Sequence, residues 1–579
     1  MFRRLLFVAM WCLALLPSFS RADAADSDPG IDRLGALAVQ EGGRIMPLEG
    51  YSRRFAVDVT GRTRWSSGGP EGFTKRSSMQ LLLDCMFDGD KMLKTKVVTL
   101  EDKPFKKLIG LDPERRFFSP VELSQCNGLT QLLMDFDKAR QTDPGASPNK
   151  DQRKAIDVRN AANRVAEFAS GVTLPIIPSQ PGQAFRHASA QTADPGAEAV
   201  QAAFKEIGQL YTTGQSILPA VEKLEKAINA MGALTENDAR NVKLEVFYDN
   251  HDTWLKTAVF YGLALMLFGF SRLFMKKIML TLALAATVLG IGEHVLGIAL
   301  RVIILNRAPV SNTFESLLWM GLVAIGIGLL FQLINKRRGY YLFGGIAAAF
   351  ISVLFAGLVP LTDRTNSLPA VLRSNFWLTI HVLTIVASYG VMAVAAVLGH
   401  AYLIKDVILN KRDEVSRARS AALVVQAYRT IQVGLILLTA GTILGGVWAA
   451  ESWGRFWGWD PKETWALISI LVYFAVLHAR YVRWIEDFGL AASAVLGLVV
   501  IVWTFYGVNY VMATGLHSYG FGSGGEVWVA LWAVIELAFL VACKIRYNSL
   551  VRSGPDAANR SAAGGQPSPQ VMSPKVSHG

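Results

Sequence analysis

From about Trp254 to Lys544 the chain is a succession of apolar runs, each about 18–25 residues long and parted by short polar stretches. Wound as a helix, a run of that length crosses ~30 Å of hydrocarbon. Nine such runs are read at roughly 255–273, 278–303, 314–334, 341–361, 376–404, 430–449, 464–482, 489–512 and 526–545. The 579 residues are 51% hydrophobic and 18% charged, too apolar for a soluble protein. The expected fold class is therefore an all-α polytopic membrane protein of about nine transmembrane helices, preceded by a mainly helical soluble domain. A net charge of +12 raises nucleic acid as a partner. The basic residues cluster beside the apolar runs, however, so orientation in a bilayer accounts for them and no nucleic-acid partner is expected.

The chain begins like an exported protein. Arg3 and Arg4 precede an apolar stretch from Leu5 to Leu16, and Ala22-Asp23-Ala24 is a plausible cleavage site. Residues 1–24 thus read as a signal peptide, with an uncleaved anchor as the alternative. In either case residues 25–252 are an exported, periplasmic domain. Cys85 and Cys126 both fall in it, either as a structural disulfide or as two separate thiols; neither belongs to a Cys-x-x-Cys. Helices are expected near Met79–Phe87, Pro120–Lys138, Lys154–Phe168 and Ala197–Met231, with loops at Gln141–Gln152 and Pro178–Gly196.

Positive charge orients the spans. With the soluble domain outside, the inner side collects Lys276, Lys277, Arg337, Arg338, a basic stretch from Lys405 to Arg429, Arg480, Arg483, Lys544 and Arg546. The outer loops hold fewer, including Arg301, Arg307, Arg455 and Lys462. This bias places the protein in a bacterial inner membrane with a cytoplasmic C-terminus, where the Pro/Ser/Ala/Gly-rich tail 554–579 is expected to be disordered.

The outer loop between the sixth and seventh spans is the most unusual segment. Trp448, Trp453, Trp457, Trp459 and Trp465 fall within 18 residues, interleaved with glycines. Tryptophan collects at any membrane interface, which explains one or two per span end but not such a cluster. A rigid, flat, apolar shelf for a planar aromatic macrocycle fits better. Asp460 before Pro461 has the form of an N-cap followed by proline at the first helical position. Lys462 and Glu463 would be helix-start groups or orient the shelf.

Histidine supplies the second constellation. Of eight, His381 lies near the outer end of the fifth span and His517 in the outer loop after the eighth. His294 lies within the second span and His478 toward the inner end of the seventh. Ionisable groups in spans are costly and usually functional, although a lone one is more often a hydrogen-bonded packing residue. Two outer imidazoles flanking an aromatic shelf have the chemistry of axial haem ligands. His400, near the inner end of the fifth span, is read as interfacial.

The loop Trp453-Gly-Arg-Phe-Trp457-Gly-Trp459-Asp460-Pro461-Lys462-Glu463-Thr464-Trp465 resembles the WWD signature of haem-handling proteins, in the CcsA/ResC branch of cytochrome c assembly. Three further stretches are similar to that family in order: Arg307 to Ser316, Asn375 to Gly390 around His381, and Leu516 to Gly520 around His517. The resemblance covers residues 255–545, with the WWD loop at 448–465. It implies that His381 and His517 are axial ligands of haem b held at Trp453, Trp457, Trp459, Asp460 and Trp465. It also implies that His478, with His294 or a histidine from a ResB/CcsB-type subunit, holds haem within the bilayer. Apocytochrome c and a thiol-reducing protein would be further partners. The large exported domain departs from the core family, although Gly43-Arg44-Ile45-Met46-Pro47 is similar to segments of extended members and hints at docking.

The implied activity is presentation of haem for thioether attachment to a partner's Cys-x-x-Cys-His, as part of a cytochrome c synthase. No such motif occurs in this chain, and no residue is singled out as an acid, base or nucleophile; the expected contribution is positioning. Two alternatives stand beside it: a haem exporter or chaperone without ligation, and a cytochrome b-like electron-transfer subunit.

Overall fold

A computed structural model describes residues 28–63, 76–143, 148–171, 174–179, 183–190, 194–232, 234–271, 273, 275–335, 340–358, 375–410, 414–512 and 526–552. The expected signal sequence, the tail from 554 and His517 lie outside these described residues. The chain divides essentially at Asp252/Thr253 into two compact units.

The N-terminal unit is a helical assembly around one apolar core that includes Leu34, Phe55, Leu82, Val165, Ile176 and Leu224. Its Gly-Gly-Arg segment is a hairpin turn. Strands Ala38–Glu41 and Arg44–Pro47 pair antiparallel, with Glu41 opposite Arg44. Gly42 and Gly43 between them have φ of 57° and 80°, the left-handed pair that two-residue hairpins require. Arg44 is ion-paired with Glu245, which ties the hairpin to the helix Glu236–His251.

Helix starts follow local sequence: Ser77 with Gln80 and Asn149 with Gln152 form capping boxes for Ser78–Phe87 and Lys150–Ala169. Two expected helices are each broken in two. The region 120–138 is Pro120–Ser124 followed by Asn127–Thr142. The region 197–231 is Pro195–Thr212 and Leu218–Ala230, parted at Gly214 with φ of 70°. Apolar periodicity runs through both breaks because both halves bury their stripes in the same core. Within the expected loop 178–196, Arg186–His187 pairs with Pro175–Ile177. Cys85 and Cys126 are separate buried thiols, and Cys126 Sγ donates to the Ile109 carbonyl at 3.3 Å.

In the second unit, nine helices among the described residues are long and apolar enough to cross a membrane. The first four spans are Thr253–Phe270, Lys276–Leu305, Thr313–Asn335 and Tyr340–Leu358. The fifth, Asn375–Tyr402, passes into a π-helical turn, Leu403–Ile408. The sixth is Glu414–Trp453 and the seventh Pro461–Tyr481. The eighth, Asp487–Val502, continues as π-helix through Met512, and the ninth is Glu526–Arg552. The chain is thus an all-α, multi-pass membrane protein.

One boundary differs greatly from expectation. The sixth helix starts at Glu414, so residues 414–429 of the basic stretch are helical. Hydropathy registers only the part of a helix that suits hydrocarbon, whereas the backbone ladder continues while side chains such as Leu423, Val424 and Ala427 find burial. Close packing of the fifth and sixth spans relies on small residues, as between membrane helices generally. A Cβ on Gly441 would sit 2.8 Å from the Ile385 Cα, and one on Gly445 would sit 2.6 Å from His381 Cε1.

Candidate functional site

The site starts from that close approach. Gly445 on the sixth span leaves a recess that the His381 imidazole fills, and Gly441, one turn earlier, lets the Ile385 backbone of the fifth span approach. His381 Nδ1–H donates to the Gly441 carbonyl at 2.8 Å. In a neutral ring this puts the lone pair on Nε2, the form that binds iron. Trp448, one turn after Gly445, lies nearly parallel to the imidazole, with 6.1 Å between ring centroids and 12° between planes.

The remaining tryptophans follow the end of that helix. Gly454, at φ 72°, terminates it, and its N–H donates to the Ala450 carbonyl at 3.0 Å. Trp448 meets Trp453 at 4.7 Å with planes 62° apart, and Trp457 meets Trp459 at 5.9 Å and 87°. The expected flat shelf is therefore a cluster of crossed rings. Edge-to-face contact brings the positive rim of one indole to the negative face of the next, which a coplanar array would forgo. Phe456 folds back over Gly446.

Trp459 is 70% exposed and has a φ of 56°, a conformation that costs a bulky residue energy. The N–H groups of Gly458 and Asp460, on either side of it, both donate to Glu463 Oε2, at 2.7 and 3.2 Å. One carboxylate thus clamps the strained residue with its ring turned outward. Asp460 is the N-cap of the seventh span, accepting from the Lys462 N–H at 2.8 Å, with Pro461 following it. This cap was legible in the sequence.

Lys462 turns away from the loop. Its Nζ donates to Asn509 Oδ1 at 2.9 Å and to the Phe505 carbonyl at 3.3 Å, both in the π-helical end of the eighth span. Trp465 packs against Trp503 at 5.7 Å, and Thr504 Oγ1 lies 2.8 Å from Ser469 Oγ. The tryptophan loop is therefore fastened to the segment that leads toward residue 517. Position 509 had no sequence signal, since a π-helical register cannot be read from periodicity.

The other intramembrane histidines are placed differently. His294 is fully buried; its Nε2–H donates to the Leu318 carbonyl at 2.9 Å, and Nδ1 accepts from the Tyr261 hydroxyl at 3.2 Å. Both ring nitrogens are engaged, the situation of a packing histidine. His478 is exposed on the seventh span. No group of three or more His, Cys, Asp or Glu able to hold a metal occurs among the described residues. His400, read as interfacial, reaches across to the ninth span, with Nε2 2.9 Å from Glu536 Oε2.

At the start of the third span, Glu315 is buried beneath the loop noted in the sequence. It accepts from Arg301 Nη2 at 2.7 Å and from the Ser311 N–H and hydroxyl at 2.9 and 2.6 Å. Asn312 Oδ1 caps this helix, and Thr313 Oγ1 lies 2.8 Å from the Tyr510 hydroxyl.

A multi-span helical bundle with a tryptophan-lined loop beside an intramembrane histidine defines a class, and residues 310–517 match the family model described as Cytochrome C assembly protein. The chain is 33% identical over 307 residues to cytochrome c biogenesis protein CcsA of Guillardia theta, covering 48% of this chain and 98% of that protein. Against CcsA of Prochlorococcus marinus it is 35% identical over 244 residues, covering 37% of this chain and 75% of that protein. The chain belongs to the CcsA family of cytochrome c biogenesis proteins. It is also 29% identical over 536 residues to Protein NrfI of Wolinella succinogenes, covering 84% of this chain. That share is more than residues 253–579 could supply, so the similarity extends into the N-terminal unit. The chain spans about half of NrfI, 54% of its length.

Proposed function

We propose that this protein takes haem b as substrate, holds it against the tryptophan loop at the outer face of a bacterial inner membrane, and presents it to the Cys-x-x-Cys-His of an apocytochrome c. The observation that carries this reading is the seating of His381, locked through Nδ1 to the Gly441 carbonyl beside the stacked Trp448 ring. An imidazole so held keeps Nε2 in the ligating form. The exposed Trp459 and the cluster behind it offer apolar aromatic surface to the macrocycle. His517, outside the described residues, is the proposed second axial ligand, on the strength of its sequence setting.

Thioether formation adds a cysteine S–H across each haem vinyl group, with sulfur going to one carbon, hydrogen to the other, and no leaving group. Two of the loop's acids are committed to its backbone: Asp460 caps a helix and Glu463 clamps Gly458 and Asp460. The protein's share of the reaction is then positional, fixing iron and ring plane while the vinyl edge stays open. The N-terminal unit would lie on the periplasmic side, beside the incoming apocytochrome and its thiol reductant. Within the bilayer, His478 is exposed on its helix, so a ResB/CcsB-type subunit could supply a second ligand there. His294, with both nitrogens engaged, is the weaker partner.

Absorption spectroscopy of the purified full chain tests this. His381→Ala and His517→Ala should each lose the low-spin haem spectrum and regain it with added imidazole. Unchanged spectra in both would remove the assignment. Haem retained without thioether product on an apocytochrome peptide would favour the exporter reading instead.

A further inference from the structure

The geometry points to Arg455 as the residue that recognises the carboxylate edge of the porphyrin, an inference that rests on the haem reading above. Arg455 is the cation in the middle of the tryptophan loop, between Trp453 and Trp457. Its guanidinium lies directly over Gly458, in the space a side chain at that position would occupy. Any residue but glycine there would displace it. The glycine is therefore the floor of a seat for the guanidinium.

What the guanidinium does in that seat is incomplete. Arg455 Nη1 lies 3.6 Å from Glu463 Oε1, an ion pair too long for a hydrogen bond. Among the described residues neither of these two atoms has a hydrogen-bond partner, although both are buried. Glu463 spends its other oxygen on Gly458 and Asp460. Such unmade bonds are costly in a low-dielectric setting, and a planar, permanently charged fork is suited to a carboxylate. The Arg455 side chain is also one-third exposed, so a ligand on the loop can reach it. A porphyrin lying on the rings has an apolar vinyl edge and an anionic edge bearing two propionates. Pairing Arg455 with a propionate would fix which edge faces inward and leave the vinyl edge for the thiols. The ligand group is thus a carboxylate on a flat macrocycle, and Arg455 sets its orientation.

Esterified substrate isolates the charge. Haem b and its dimethyl ester are titrated into haem-stripped full-length protein, wild type and Arg455→Gln, and the ratio of the two affinities is compared so that partitioning into detergent cancels. Wild type should prefer the free acid roughly tenfold, the worth of one charge-assisted hydrogen bond, and Arg455→Gln should abolish that preference while leaving ester binding unchanged. Gly458→Ala, which keeps the charge but fills its seat, should act like Arg455→Gln. Equal weakening of both haems, or no change in the ratio, would overturn the assignment and leave Arg455 a structural partner of Glu463. His381→Ala in parallel separates the two claims: if it leaves haem binding untouched, the haem site itself is wrong.

Discussion

Gly445 and His381 are in contact across two antiparallel spans, so close that a single methyl group on the glycine would lie 2.6 Å from the imidazole Cε1. The position of the histidine is thereby set by what the neighbouring helix lacks, and its rotamer by the Gly441 carbonyl one turn away.

Gly445→Ala should therefore push the ring out of its recess at a local cost of roughly 1–3 kcal/mol, typical of overpacking. Haem content of the purified protein is expected to fall severalfold with helicity and membrane insertion retained. Gly326→Ala, at a glycine of the third span with open space around it, is the control. Equal haem content in both variants would contradict the close-packing account.

Arg301 and Glu315 form an ion pair whose side chains are all but inaccessible. Removing Arg301 leaves the buried Glu315 carboxylate with Arg307, 3.9 Å away, as its remaining cation, so Arg301→Met should destabilise the membrane unit by up to about 3–5 kcal/mol. Combining it with Glu315→Leu should recover most of the loss. Thermal denaturation in detergent measures both, and a double variant no better than the single one would argue against burial of an uncompensated carboxylate as the cause.

Lys462→Met deletes the bonds to Asn509 and the Phe505 carbonyl. Loss of about 1–3 kcal/mol of local stability is expected, concentrated in the π-helical segment 503–512. Amide hydrogen exchange there should accelerate while the seventh span stays protected. If exchange in 503–512 is unaltered, Lys462 does not hold that segment.

The N-terminal unit should show an acid-side dependence with a defined origin. The Arg115 guanidinium, bound to both oxygens of Glu122 at 2.6 and 2.8 Å, holds that carboxyl below its ordinary value of 4.5. A carboxyl depressed in the folded state contributes stability that is present above pH 4.5 and lost as pH falls through the lowered folded value. Denaturant melts of the full chain at pH 7 and near pH 3 should thus differ less for Glu122→Gln than for wild type. An undiminished difference would assign the acid sensitivity to other groups.

Buried thiols give a simpler check. Burial foremost, with the neighbouring Asp84 charge, pushes the Cys85 thiol well up, and Cys126 is engaged with the Ile109 carbonyl. Alkylation by iodoacetamide at pH 8 should label neither cysteine until the unit is unfolded.

Much of this was legible from residue order because it is decided within a few residues or summed over a span. Nine apolar runs announce the nine membrane-length helices found among the described residues, and Asp460-Pro461 announces a helix start where one is found. The five tryptophans and His381 were recognisable as a candidate site. Their arrangement was not: the rings cross where a level surface was expected, and Trp459 takes a left-handed backbone that its own side chain disfavours.

The sequence by itself determined the class of protein, the number of membrane-length runs, the separate N-terminal region and the place of the tryptophan-rich loop, because hydrophobic transfer and helix capping depend on local composition. Only the tertiary structure decided that His381 sits in a glycine recess beneath Trp448 and that Glu463 clamps Trp459. It alone tied Lys462 to the π-helical end of the eighth span and closed both nitrogens of His294. Each of these is a contact between residues far apart in the chain or held in an irregular backbone, and its energy exists only once the helices have packed.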